Sequence, residues 1–152
     1  MRSAPLNYLI TFVAAGLLWA VLALVLGNTL STQVALMTAT VEDFVRLYRV
    51  VLSVAALGGF GLAAYWFWVG SRPDTVGNLE RTKRLWRVLL FAALALSVAL
   101  LVVLLVLFAD ETFTAGQYAT FYAALSLLTW LLFWGATFFL SPRTVQYLPV
   151  GK

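Results

Sequence analysis

The chain has 152 residues, 63% of them hydrophobic and 11% charged, and a formal net charge of +4. Soluble domains run near half apolar and a quarter charged, so this composition excludes a water-soluble core and reads as a single-domain integral membrane protein. With no cysteine or histidine, disulfides, thiolate or imidazole metal sites and the commonest general base are excluded too; in this class the positive charge points to cytoplasmic loops, not to nucleic acid.

The first predicted span is "YLITFVAAGLLWAVLALVL", residues 8–26. Only Arg2 precedes it, its apolar run is longer than that of a secretory leader, and no A-x-A site follows. It is therefore expected to be a retained helix. The second span covers 46–70, with Thr40 as its cap and Glu42 and Asp43 in the first turn, where they complement the helix dipole. Ser71-Arg72-Pro73 should end it. A cytoplasmic loop at about 71–85 follows; within it Asn78 is placed to cap helix 3, which should start at "LERTKRLWR" ahead of the third apolar span, residues 88–108. The fourth, 118–140, is preceded by a capping box of Thr114 and Gln117 and a possible staple of Phe113 against Tyr118, and is stopped by Ser141-Pro142. Each run approaches or exceeds the roughly 20 residues needed to cross the hydrocarbon as a helix, and none alternates as a barrel strand would.

Of the ten Lys and Arg residues, Arg2, Arg72, Arg81, Lys83, Arg84, Arg87, Arg143 and Lys152 fall on one side of the four spans, and only Arg46 and Arg49 on the other. That bias puts both termini and the middle loop in the cytoplasm, in a cell inner membrane. The expected fold is an all-α integral membrane protein, four transmembrane helices as two N-in helical hairpins in an antiparallel bundle. Tyr65, Trp66, Trp68 and Trp86 fall where helices 2 and 3 would cross the inner headgroup layer. The exits "SRPDTV" and "SPRTV" of helices 2 and 4 echo each other, a similarity short enough to reflect only shared demands of helix exit.

Small residues mark the expected contact faces. Ala55, Gly59 and Ala63 recur every four residues on helix 2, flanked by Gly58 and Gly61. Helix 1 offers Gly16, Ala20 and Ala23, and helix 3 offers Ala92, Ala95 and Ala99. Such faces let backbones approach in lipid, either inside this bundle or at a seam with another subunit. "LLVVLLVLF", residues 100–108, has no small residue and should face lipid or large apolar partners.

Signals for chemistry are few. No acid or base lies between the interfaces in spans 1, 3 and 4, which argues against an ion-driven pump whose site is in this chain. Thr11, Ser53, Ser97, Ser126, Thr129 and Thr137 are expected to bond back to the preceding helical turn. No cofactor or metal is expected. Arg81, Lys83, Arg84 and Arg87, with Trp86, are candidates for contact with lipid headgroups or a cytoplasmic partner, and Glu80 stands four residues before Arg84.

The opposite side carries Glu42, Asp43, Arg46 and Arg49, and the acidic pair Asp110-Glu111. Arg46 has Glu42 and Asp43 within helical reach; Arg49 has no acid at helical spacing. Counting from Trp66, Arg49 is about 25 Å along the helix, just below the far headgroups. Its partner should be a lipid phosphate, a helix-end carbonyl, Asp110 or Glu111, or another chain. The expectation is a non-catalytic membrane subunit, a scaffold or anchor that contacts lipids and other membrane subunits. The alternative is a homo-oligomeric channel or small transporter with Arg46 and Arg49 as an outer basic ring.

Overall fold

The computed structural model describes residues 4–33, 36, 39–70 and 79–140. Every regular element among them is helical. These are α1 (residues 4–33), α2 (Val41–Gly70), α3 (Leu79–Leu107) and α4 (Ala115–Leu140). All four are long and apolar enough to cross a membrane, which makes the chain a multi-pass membrane protein.

Each helix outruns its apolar stretch. The 30 residues of α2 reach about 45 Å against roughly 30 Å of hydrocarbon. Local caps explain the extension. Thr40 Oγ1 accepts from the Asp43 amide at 3.1 Å and donates to Asp43 Oδ2 at 2.7 Å, so α2 starts five residues before its apolar run. Thr114 and Gln117 form a reciprocal capping box, and Phe113 meets Tyr118 edge-on at 5.7 Å. α3 begins at Leu79, where "LERTKRLWR" was expected to start it, so the helix takes up the end of the expected 71–85 loop and Arg81, Lys83, Arg84 and Arg87 stand on its first turns. The expectations placed on Arg2, Ser71-Arg72-Pro73, Asn78, Ser141-Pro142, Arg143 and Lys152 lie outside the described residues.

Two helices change register partway. α1 widens to a π-helix at Val21–Leu26, and α4 does so at Leu127–Leu131. Both widened segments pack on α2. α2 and α4 touch each other, and α1 and α3 each pack on that pair rather than on one another. The most apolar window of α4 is accordingly 56% buried, against 22% for α1 and 28% for α3.

The interior holds two clusters. One gathers Phe44 and Tyr48 of α2 with Phe108, Phe113 and Phe121, beside the connections between helices. The other joins Trp66 and Phe67 to Trp86, Leu89 and Phe133 near the opposite end. Half of the expected aromatic belt is thus interior. Trp66 is 1% exposed, and Trp86 is turned inward to donate Nε1–H to Thr137 Oγ1 at 3.0 Å; Tyr65 and Trp68 remain outward. An indole buried at a helix junction needs an acceptor, and Thr137 supplies it. In "LLVVLLVLF" one face, Leu100, Leu104 and Phe108, is buried, while Val102, Val103 and Val106 are exposed.

Candidate functional site

The chemistry of this bundle gathers on α2, whose two faces meet different neighbours. Ala55, Gly59 and Ala63 are all buried, and Gly59 is spent on α4. A Cβ on Gly59 would run into the Leu128 carbonyl oxygen and lie 3.1 Å from Thr129 Cα. Both atoms belong to the π segment of α4. A Cβ on Gly58 would meet only the Leu96 side chain of α3. The small-residue stripe of α2 therefore packs within the chain. The small residues of α3, Ala92, Ala95 and Ala99, face outward.

Toward α1 the same helix presents polar groups. Trp19 donates Nε1–H to Ser53 Oγ at 3.0 Å, and Ser53 Oγ donates to the Arg49 carbonyl at 2.8 Å. One turn on, Arg49 Nε–H donates to the Ala23 carbonyl at 3.4 Å and Nη2–H to Asn28 Oδ1 at 3.3 Å. The π register of α1 explains why that carbonyl is available. The Gly27 amide, which an α-helix would aim at Ala23 O, goes instead to Leu22 O. Arg49 has five N–H donors; two are used, both on neutral acceptors.

Below this ladder lies a groove of about 250 Å³ between α1 and α2, lined by Phe12, Gly16, Trp19, Leu57 and Phe60 among others. A Cβ on Gly16 would touch nothing within 4 Å, so Gly16 opens the groove rather than fitting a neighbour; Ala20, one turn on, is half-buried. A second apolar groove, about 360 Å³, separates α1 from α4 beside Ile10, Ala14, Leu131 and Phe139.

The remaining charged candidates do not converge. Arg46 lies 3.8 Å from Asp43, both well exposed, a geometry worth little in stability. Glu42 and Asp110 are exposed. Glu111 is buried, and its Oε1 accepts from the Ala39 amide at 2.7 Å, fastening the segment before α2 to the turn before α4. Gln117 Nε2 adds a bond to Gln33 O at 3.3 Å. Arg81, Arg84 and Arg87 are exposed on α3 and Lys83 is half-buried.

The polar residues of the spans follow the expected back-bonding in five cases. Thr11, Ser53, Ser97, Thr129 and Thr137 each donate to a carbonyl three or four residues earlier. Ser126, just before the π segment of α4, has a buried Oγ without a hydrogen-bond partner. Asn7 escaped the sequence reading. It is buried and donates Nδ2–H to Leu140 O at 2.7 Å, capping one of the orphan carbonyls at the end of α4. Its position immediately before the apolar run of span 1 was the available signal. Among the described residues, no three acidic side chains gather as a metal site would require.

No family model matches this sequence, and no curated protein or solved structure shows significant similarity to it.

Proposed function

We propose that the chain is a non-catalytic subunit of a larger membrane assembly, homo- or hetero-oligomeric, acting as scaffold or anchor. The observation that carries this reading is the apolar surface that the bundle leaves uncovered on its two flanking helices. Leu17 and Val25 of α1 are each 64% exposed, and Phe91 and Val106 of α3 are 67% and 70% exposed. On α3 the exposed Ala92, Ala95 and Ala99 stand among these large side chains, the small-residue face that close helix contact uses in lipid. Membrane lipids and other membrane subunits are the partners of such surfaces.

In this reading the helices form two hairpins with antiparallel neighbours and cytoplasmic termini in an inner membrane. The contacts Tyr8–Phe67, Phe12–Phe60, Trp19–Ser53 and Gly27–Tyr48, whose numbers rise on one helix as they fall on the other, support the first hairpin. The orientation rests on the Lys and Arg bias of the sequence.

The channel reading asks Arg46 and Arg49 to face a common pore. Arg49 instead bonds inside its own chain, to α1, and this favours the subunit reading. The test is purification of the tagged chain from native membranes in mild detergent, followed by native mass spectrometry. The expected result is a defined complex larger than one chain. A monodisperse monomer without partner would overturn the proposal.

A further inference from the structure

We propose that the seam between α1 and α2 binds one phospholipid, its phosphate on Arg49 and one acyl chain in the groove below. This requires only that the chain lie in a membrane and is independent of its role as a subunit.

The charge argument comes first. The two bonds of Arg49 go to a carbonyl and an amide oxygen, so neither neutralises the guanidinium. The carboxylate nearest in sequence, Asp43, lies against Arg46 and Thr40. Three N–H donors of Arg49 stay available, in the fork geometry that suits a phosphate. Arg49 also stands about 28 Å along α2 from the outward-facing Trp68, close to the full thickness of the hydrocarbon and hence at the depth where lipid phosphates begin. An uncompensated guanidinium there draws an anionic headgroup oxygen more strongly than it would draw water.

The groove supplies the rest. Its lining is apolar except for Ser53 Oγ and Trp19 Nε1, which bond each other. It runs from Trp19 and Ser53, one turn from Arg49, down to Phe12 and Phe60, whose rings meet edge-on at 5.6 Å at its lower end. Seven positions of α2 separate Ser53 from Phe60, about 10 Å, room for the first part of an acyl chain below a headgroup at Arg49. The absent side chain at Gly16 keeps the groove open without serving any helix contact. A charged donor above and a narrow apolar slot beneath match the two chemical halves of a phospholipid.

The same geometry supplies the test. The purified chain is delipidated in detergent and titrated with phosphatidylglycerol, with native mass spectrometry as the readout. One bound lipid is expected. Arg49→Gln should weaken binding roughly tenfold or more, the value of a charge-assisted hydrogen bond. Gly16→Phe should weaken it comparably while leaving thermal stability unchanged, because the new side chain enters open space; this variant keeps the test valid if Arg49→Gln folds poorly. A photo-crosslinker at position 16 in native membranes should capture lipid. Wild-type affinity in Gly16→Phe, equal affinity for inorganic phosphate and phosphatidylglycerol, or capture of a protein at position 16 would each overturn the proposal.

Discussion

α2 meets α4 by a close backbone fit, and α1 by ring contacts and polar bonds with a groove between them. On the α4 side, Gly59 brings two backbones together until no atom can be added. On the α1 side, Arg49 and Ser53 reach across to Ala23, Asn28 and Trp19, and a groove remains between the helices. Lipid offers no hydrophobic drive for helix association, so one of these two means is needed. Dispersion across a close fit tolerates no gap, whereas ring contacts and a few directed bonds leave a groove open between α1 and α2. The first builds an interior and the second leaves a surface that other molecules can use.

Substitutions on the two faces should therefore behave differently. The largest effect is expected at Gly59. Gly59→Leu drives a side chain into the Leu128 carbonyl, and the backbone cannot yield as a side chain does. A loss of about 3 kcal/mol or more is expected, read as collapse of the monodisperse peak in mild detergent. Gly58→Leu, which meets only the movable Leu96 side chain, should cost clearly less. Equal losses at the two positions would sink the backbone argument. Next is Thr137→Val on the α3–α4 contact. It strands the Trp86 indole N–H and should cost about 1 kcal/mol in thermal unfolding. Adding Trp86→Phe to that variant should recover part of the loss, since both partners are then apolar.

On the open side the effects shrink. Ser53→Ala removes the acceptor of Trp19 and the link to Arg49. About 0.6 kcal/mol is expected, the average for such bonds in membranes, with a shift in tryptophan fluorescence as the local readout. A loss as large as that at Gly59 would mean that α1 is held mainly by this bond. Smallest is Gly16→Ala, which should be neutral or stabilising by up to about 1 kcal/mol through helix propensity. Marked destabilisation there would show that the groove is closed.

The spans were legible because uninterrupted apolar runs of this length admit few other structures. The helix starts were also legible, since Thr40 with Asp43 and Thr114 with Gln117 are local signals. Other features depend on what stands opposite. "VLALVL" and "LLTWL" contain neither Pro nor Gly, so nothing in them announces a π turn; the widening is set by packing on α2. Without that register, the Ala23 carbonyl could not be singled out as the partner of Arg49. Trp66 and Trp86 misled for a similar reason. An indole near a span end suits the headgroup layer and the junction of three helices equally, and only the neighbouring Thr137 decides for Trp86. The stripe Ala55-Gly59-Ala63 announced a close contact but not its owner, because a small residue fits any backbone.

The close approach at Gly59 also orders events during synthesis. Its partner, Leu128, leaves the ribosome about 70 residues later, a delay of several seconds at ordinary translation rates. Through that interval α2 is already complete, with a shallow notch where α4 will sit. A helix from elsewhere that lodged in the notch would have to leave before the native one arrived. The close fit that completes the interior is thus also a step that waits, the second helix for the fourth.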